Sequence, residues 1–201
     1  MFIKTGILKD KTKAYDIFNA CISNDFTTIP SMKSSEYIKF CWGKYKAYCT
    51  VNPQDKALNG NIFELIVESE LYRKSICPMF LQARVAFVPN INFDVLLYSS
   101  EQFPIGLSLK TSLRERYKQA DLEALALKNV HRKALTYLIT LNSQESISLK
   151  AKVDNEELLG INRVIDADKD EFDALIAELA GMRFINPGEI SIIMARNIVE
   201  K

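Results

Sequence analysis

The middle of the chain carries the clearest change from a helical to an extended hydrophobic pattern. Asn59-Gly60-Asn61 is interpreted as a turn or helix cap, and apolar positions recur with a helical period from Ile62 onward. This helix is expected to end at Cys77-Pro78, because a residue that precedes proline is biased away from helical backbone. Glu64 and Glu68 lie four residues apart, so the helix would present both carboxylates on one face.

Three extended segments follow this helix. They are FLQARVAFVP, closed by Pro89-Asn90, then NFDVLLYSS over residues 92–100 and IGLSLKTS over residues 105–112. Residues Ser99 to Pro104 form a turn signal, so the second and third segments are predicted to pair as a hairpin. Antiparallel pairing would bring Asp94, near the start of one strand, beside Lys110, near the end of the next.

The rest of the chain predicts further helices and strands. Residues 114–130 have the pattern of a helix of about four turns, and ALTYLITL, over 134–141, that of a buried strand. The order strand, helix, strand favours parallel pairing with a right-handed crossover. Other expected elements are a strand over 146–153, a helix from about Asp168 to Gly181, a turn at Asn186-Pro187-Gly188 and a C-terminal tail. Residues 1 to about 55 are predicted to be irregular to helical.

These elements predict an α/β fold with a mixed central sheet flanked by helices. A chain of 201 residues that is 48% hydrophobic is long enough for one ordinary domain with a substantial core. The whole chain, 1–201, is therefore assigned to one domain. Roughly residues 56–145 are expected to hold the catalytic core, with 1–55 and 146–201 as extensions that support the fold or serve in DNA binding or dimerisation.

Charge and cysteine content narrow the possible classes of protein. The net charge of +1 argues against a polybasic binder, although a nucleic-acid enzyme can combine a local basic surface with an acidic site. The four cysteines lack CxxC spacing and the single histidine, His131, is distant from them, so neither a zinc site nor a disulfide framework is expected. No segment approaches about 18 uninterrupted apolar residues, so we expect a soluble cytoplasmic protein.

One N-terminal stretch, YIKFCWGKYKAYC over residues 37–49, mixes aromatic and basic side chains. Such a mixture can contact nucleic acid through base stacking and phosphate binding. A packed helix whose lysines point outward has the same composition, and this is the interpretation that we favour.

Candidate chemistry centres on the third extended segment and the helix after it. In IGLSLKTS, alternation places Ser108 and Lys110 on one face of the strand. Arg116, Gln119 and Glu123 are spaced so that they share one face of the following helix. Carboxylates that converge with a lysine suit metal-assisted phosphodiester hydrolysis, because carboxylate oxygens bind Mg²⁺ and the metal polarises a phosphoryl oxygen.

Other catalytic motifs do not occur in the chain. It contains no Walker loop, no G-x-G-x-x-G, no G-x-S-x-G and no H-E-x-x-H sequence. A Ser/His/Asp arrangement would depend on His131, which lies where a helix meets a strand and is expected to have a surface or capping role.

The pattern resembles the PD-(D/E)XK nuclease superfamily. That pattern has a helix glutamate, an aspartate on one strand and (Asp/Glu)-x-Lys on the next, which here correspond to Glu64, Asp94 and Ser108-Leu109-Lys110. The chain departs from the pattern at Ser108, where the family usually has an acid. Some type II restriction enzymes share this departure and carry the second carboxylate on the following helix.

The segment of those enzymes resembles K-T-T/S-x-(K/R)-(D/E)-R-(W/Y)-(K/R)-Q-x-x-x-E. This chain reads KTSLRERYKQADLE from Lys110 to Glu123. Its matching positions are Lys110, Thr111, Arg116, Tyr117, Gln119 and Glu123.

The resemblance implies a restriction-endonuclease-like core and a set of site residues. Asp94 and Glu123 are implied as Mg²⁺ ligands, Lys110 as the catalytic lysine, and Glu64 as an outer carboxylate for which Glu68 is the alternative. Supporting roles are implied for Ser108, Arg116 and Gln119, with Arg116 holding a phosphate or orienting Glu123. The basic residues expected to contact DNA are Arg114, Lys118, Lys128, Arg132 and Lys133.

The expected function is that of a Mg²⁺-dependent endonuclease, in the manner of a type II restriction enzyme, that cuts duplex DNA at a short sequence. A homodimer is expected because a two-fold DNA site matches a two-fold protein. One alternative is a structure-specific nuclease of a repair, phage or toxin type. The other is a non-catalytic DNA-binding protein with a degenerate site, which Ser108 favours and which Asp94, Lys110 and Glu123 argue against.

Overall fold

The computed structural model describes residues 1–54, 56–88, 91–114, 116–187 and 193–200. The helices are α1 (Lys13–Cys21), α2 (Ser34–Val51), α3 (Lys56–Arg73), α4 (Arg116–Val130), α5 (Ser143–Asp154) and α6 (Asp170–Ala180). The strands are β1 (Met79–Val85), β2 (Phe93–Tyr98), β3 (Pro104–Lys110), β4 (Leu135–Thr140), β5 (Arg163–Asp166), β6 (Ile193–Met194) and β7 (Asn197–Val199). Within the described ranges, none of the helices combines the length and apolar character that a membrane crossing requires.

The strands form one open, mixed sheet. Their order is β5-β4-β3-β2-β1-β6, and β7 also pairs with β1. Strands β2 and β3 are antiparallel, with Val95 opposite Leu107, which confirms the predicted hairpin. Strands β3 and β4 are parallel, with Lys110 opposite Thr140, as the strand–helix–strand pattern predicts. The predicted α/β class, a mixed sheet flanked by helices, is confirmed.

Helices cover both faces of the sheet. On one face, Leu107 and Ile139 belong to the largest hydrophobic cluster, which they share with side chains of α1, α2, α3 and α6. On the other face, Leu138 packs with Ala124 of α4 and with residues of α5. The larger cluster draws side chains from positions 2 to 199, so the two ends of the chain complete the same core as the central residues.

Helix α2 confirms that the aromatic and basic stretch is a packed helix. Tyr37, Cys41 and Tyr45 recur every fourth residue and are fully buried in the largest cluster. Lys44 and Lys46, on other faces of the helix, are exposed. Burial of the aromatic stripe therefore fixes the orientation of α2 and decides where its remaining side chains point.

Two sequence-based predictions are wrong for identifiable reasons: the start of α3, and the type of element formed by residues 146–153. Asn59-Gly60-Asn61 lies inside α3, which begins at Lys56, because surrounding apolar contacts outweigh the low helix propensity of glycine. Residues 146–153, predicted as a strand, belong to α5. The side chain of Asn142 caps α5 by accepting a hydrogen bond from the backbone N–H of Glu145.

Other differences concern short or peripheral segments. The sequence gives no indication of β5, because its four residues are too few to show an alternating pattern. The C-terminal tail supplies β6 and β7, which pair with β1. Pro89-Asn90 and the glycine of the turn at 186–188 lie outside the described residues.

Candidate active site

The hairpin of β2 and β3 brings Lys110 and Asp94 into direct contact. Nζ of Lys110 donates a hydrogen bond to Oδ2 of Asp94 over 2.7 Å. The same oxygen accepts a hydrogen bond of 2.6 Å from the backbone N–H of Leu109. The Asp94 side chain is 10% exposed and that of Lys110 24%, so the lysine reaches a buried carboxylate from the rim of the sheet. The predicted proximity of these two residues is confirmed.

Strand alternation sets which way the residues of β3 point. Leu107 and Leu109 pack into the largest hydrophobic cluster, so Ser108 and Lys110 project from the opposite face of the strand. Helix α4 covers that face, since Ala124 of α4 packs against Leu138 of the neighbouring strand. Ser108 is buried there and brings no charge of its own. Any second carboxylate beside Lys110 on this face has to come from another element.

Helix α4 supplies such a carboxylate in Glu123. Its Oε1 accepts a hydrogen bond of 2.7 Å from Nε2 of Gln119, one turn earlier on the helix. Partial burial raises the pKa of Glu123; the negative charge of Asp94 adds to this shift and the positive charge of Lys110 opposes it. The three groups therefore lie within one another's electrostatic field, although they come from three different elements.

Asp121 holds α4 in the orientation that Glu123 requires. Its Oδ1 accepts hydrogen bonds from the backbone N–H groups of Gly160, at 2.8 Å, and Ile161, at 3.1 Å. A Cβ atom at Gly160 would lie 2.2 Å from the carbonyl oxygen of Asp121, so only glycine allows the segment before β5 to approach α4 this closely. Asp121 therefore has a structural role, and it lies on a different side of α4 from Glu123.

Helix α3 adds two further carboxylates near the pair. Oε2 of Glu64 accepts a hydrogen bond of 3.2 Å from Nε2 of Gln82. Burial, with a contribution from the charge of Asp94, raises the pKa of Glu64 to about 7, and the charge of Lys110 opposes this shift. Glu64, like Glu123, therefore lies in the field of both members of the pair. Among the residues expected in the site, this favours Glu64 over Glu68 as the helix carboxylate.

Glu68 lies deeper in the protein, one turn further along α3. It is 1% exposed, and within the described part of the chain neither of its carboxylate oxygens has a hydrogen-bond partner. Burial, followed by the charge of Glu64, raises its pKa well above the ordinary value, and the guanidinium of Arg196 opposes this. Glu64, Glu68 and Arg196 line a pocket of about 90 Å³. Arg196, in the C-terminal segment, was not among the expected site residues.

Asp94 and Glu123 are the two carboxylates that would hold Mg²⁺, with water and substrate completing the coordination. Asp94 and Glu123 offer carboxylate oxygens, which are hard ligands. Across the described ranges, no group of three or more His, Cys, Asp or Glu side chains is placed to hold a metal ion by itself. Mg²⁺ often binds through one or two protein carboxylates, several waters and substrate phosphates, so a site with two protein carboxylates is chemically suited to it.

A cleft of about 890 Å³ opens at the residue after Lys110. It lies beyond the carboxyl ends of the parallel strands β3 and β4, which is where open α/β sheets usually bind ligands. The residues that line it are Trp42, Lys46, Asn59, Thr111, Ser112, Arg114, Arg116, Leu141, Asn142, Ser143 and Gln144. Arg116, expected beside Glu123, is exposed and contributes to this cleft.

The residues expected to contact DNA do not all lie here. Arg114 lines the cleft. Arg132 and Lys133 follow the C-terminal end of α4 and precede β4, whose first residue pairs with Ile105 at the opposite end of β3 from Lys110. Their contact with DNA at the same site stays a prediction, and it requires DNA to extend along the length of the strands.

Lys128 and Lys118 have local contacts on or beside α4. Nζ of Lys128 donates a hydrogen bond of 3.4 Å to the carbonyl oxygen of Leu159. Nζ of Lys118 lies 5.9 Å from the centre of the Tyr117 ring. His131 follows α4, and its backbone N–H bonds the carbonyl oxygen of Leu127, which agrees with the expected position at the end of the helix.

The Lys110–Asp94 pair and the opening of the basic cleft lie at the same end of β3, and Glu123 of α4 lies in the electrostatic field of the pair. Sequence reasoning missed Lys46 and Trp42 as parts of this region, although the aromatic and basic pattern around them gave a signal.

Comparisons of the chain with protein-family models, with curated proteins and with solved structures find no match.

Proposed function

We propose that this protein is a Mg²⁺-dependent DNA endonuclease with a restriction-endonuclease-like core, and that it cuts duplex DNA at a short specific sequence. The observation that carries the proposal is the 2.7 Å contact of Lys110 with Asp94, formed at the mouth of a cleft lined by three cations. Glu123 supports it, because this carboxylate lies in the field of the same pair. Its position on α4 agrees with the type II restriction enzymes whose second carboxylate lies on the helix after the lysine strand and not on that strand.

In this proposal Asp94 and Glu123 hold the metal ion. Bound Mg²⁺ would supply charge at the scissile phosphate and lower the pKa of a coordinated water. The ammonium of Lys110 is placed to position the attacking water or to stabilise the negative charge that develops on the phosphoryl oxygens. Glu64 serves as an outer carboxylate. The P–O bond to the attacking water forms as the P–O3′ bond breaks, which leaves a 5′-phosphate and a 3′-hydroxyl that has taken up a proton.

A second copy of the chain is part of the proposal. Each chain carries one such site, and a duplex has two antiparallel strands to cut. A homodimer with two-fold symmetry presents one site to each strand of a palindromic sequence.

The proposal is tested by incubating purified protein with unmethylated DNA from several sources in Mg²⁺, beside EDTA and Lys110→Ala. Discrete fragments with 5′-phosphate ends, which disappear in EDTA and in Lys110→Ala, are the expected result. A smear lost in the variant would instead indicate the structure-specific or non-specific nuclease. Intact DNA under all conditions, Mn²⁺ included, with DNA binding retained, would identify the non-catalytic binding protein that Ser108 favours.

A further inference from the structure

We propose that the cleft between α2 and the start of α5 holds the DNA strand next to the scissile phosphate, with Lys46 and Trp42 of α2 as direct contacts. This inference rests on the proposed nuclease function for the position of the scissile phosphate. It assigns a role to an N-terminal helix that the nuclease pattern does not include. It also adds α2 to the expected DNA contacts, which the sequence assigned to Arg114 and to basic residues on and after α4.

The packing of α2 fixes Trp42 at the wall of the cleft. Tyr45, fully buried, lies 5.2 Å from the Trp42 ring between ring centres, and Phe63 of α3 lies 6.2 Å from it. The indole is nonetheless only partly buried and lines the cleft. An aromatic ring whose rotamer is already fixed loses little conformational entropy when a sugar or base packs against it.

Lys46 lies one helical turn after Trp42 and lines the same cleft. The opposite wall contains Arg114 and Arg116. The backbone N–H of Arg114 bonds the carboxylate of Glu145, in the first turn of α5, over 3.3 Å, so this wall is tied to α5. The side chains of three cations therefore line one space, Lys46 from α2 and the two arginines from the turn before α4 and its first residue.

The chemistry of the lining favours a nucleic acid over a small anion or an acidic peptide. None of the described residues that line the cleft is acidic, whereas the chain as a whole has a net charge of only +1. Gln144 supplies an exposed amide group, which can form paired hydrogen bonds with a base edge, whereas the amide oxygens of Asn59 and Asn142 already accept hydrogen bonds from the Tyr45 hydroxyl and the backbone N–H of Glu145. Cations for phosphates, amides for base edges and an aromatic surface are the three contact types found in nucleic-acid interfaces.

The place of the cleft selects the part of the DNA that it would hold. Thr111, the residue after Lys110, lines the cleft. A strand whose scissile phosphate lies at Lys110 therefore has the cleft directly beside it on one side of that phosphate. Duplex DNA is the substrate of the proposed reaction, so the cleft is assigned to one of its strands.

Trp42 is the only tryptophan of the chain, which makes its intrinsic fluorescence a reporter of this cleft. A duplex oligonucleotide is titrated into the protein in EDTA, so that cleavage does not interfere. A saturable change in Trp42 fluorescence that parallels binding measured by anisotropy of labelled DNA is expected. Binding detected by anisotropy without any change in Trp42 fluorescence would contradict the proposal.

Lys46→Ala and Lys44→Ala form a matched pair of variants. Both lysines are exposed on α2, but Lys44 lies near the Phe40 ring at 4.9 Å, two positions before Lys46 and on another side of the helix. Lys46→Ala should weaken binding and reduce the slope of log affinity against log salt by about 0.9, the value for one phosphate contact on duplex DNA. Lys44→Ala should leave both quantities unchanged. Equal effects of the two variants, or none, would overturn the proposal.

The role of the ring is tested with Trp42→Ala and Trp42→Phe. Loss of the ring should weaken binding by roughly ten-fold or more, and phenylalanine, which keeps an aromatic surface, should restore part of it. Unfolding is monitored by circular dichroism, so that a packing defect at Phe63 is recognised. Trp42→Phe that folds normally and binds no better than Trp42→Ala would count against stacking.

The outcome separates this inference from the proposed function. Mg²⁺-dependent cleavage that is unaffected by Lys46→Ala leaves the nuclease in place and removes the cleft assignment. DNA binding that depends on Lys46, with no cleavage under any condition, supports the cleft and removes the nuclease. An RNA duplex that binds as tightly as the DNA duplex would overturn the assignment to DNA.

Discussion

Lys110 and Asp94 are sixteen residues apart in the chain, yet Nζ and Oδ2 lie 2.7 Å from each other. The antiparallel register of β2 and β3 produces this contact, and the backbone N–H of Leu109 fixes the same carboxylate oxygen. The charges of Lys110 and Asp94 both influence the pKa of Glu64 on α3 and the pKa of Glu123 on α4. Four ionisable groups from four elements therefore influence one another electrostatically.

Glu64→Gln should change how stability depends on pH. In the folded protein the pKa of Glu64 is raised from 4.5 to about 7, so between these values the folded state binds more protons than the unfolded state. The free energy of unfolding therefore falls as the pH rises through this window, by roughly 3 kcal/mol at most. Because glutamine does not ionise, Glu64→Gln should gain stability relative to the parent as the pH rises.

Urea unfolding without metal ions, at about pH 5 and about pH 8, measures this difference. Glu156→Gln, at an exposed position, controls for the removal of one negative charge. Parallel pH profiles for the parent and Glu64→Gln would contradict the raised pKa.

Mg²⁺ should stabilise the folded protein through Asp94 and Glu123. A ligand that binds only the folded state adds ~1.4 kcal/mol when its concentration is ten times its Kd. The rise in Tm on adding Mg²⁺ should therefore be lost in Asp94→Asn and in Glu123→Gln. Asp170→Asn, whose side chain is 93% exposed, serves as the control and should keep the full shift. If all variants kept the parent's shift, the two carboxylates would not be the metal ligands.

Asp121→Ala should destabilise the protein through the contact between α4 and the segment before β5. The substitution leaves two buried backbone N–H groups, those of Gly160 and Ile161, without their acceptor. Each unsatisfied donor costs about 1–3 kcal/mol, so a loss of roughly 2 kcal/mol or more in the free energy of unfolding is expected. Glu123→Gln on the same helix should cost far less, since its Gln119 partner is exposed. Similar losses for the two variants would show that Asp121 does not anchor α4.

The sequence allowed prediction of the hairpin because local alternation and a turn signal set its register. The face shared by Gln119 and Glu123 followed from helical spacing, and their 2.7 Å contact agrees with it. In each case the contact depends on short-range geometry that a residue pattern encodes.

Long-range packing decided the features that were missed. Residues 146–153 form a helix because Asn142 caps them and Leu149 packs against the core, neither of which the β-like composition reveals. Arg196 reaches Glu64 and Glu68 only because the C-terminal segment pairs with β1. Lys46 enters the cleft because the buried stripe of α2 fixes its rotation. No local pattern specifies the placements of Arg196 and Lys46, whereas Asn142 followed by Glu145 three residues later is a local signal for the start of α5.

The most direct test of the central claim compares Mg²⁺-dependent DNA cleavage by Lys110→Ala and Lys150→Ala. Lys150 also pairs with a strand-end aspartate, since its Nζ lies 3.4 Å from Oδ2 of Asp166, and its side chain is 31% exposed against 24% for Lys110. Lys150 also pairs with Glu171 over 2.5 Å, so loss of Lys150 removes one more ion pair than loss of Lys110 and is a stringent control for ion-pair loss. Lys110→Ala should reduce the single-turnover cleavage rate by on the order of 100-fold or more, while folded Lys150→Ala keeps the parent rate. Cleavage that persists in folded Lys110→Ala, or that falls equally in both variants, would contradict a catalytic site built around Lys110 and Asp94.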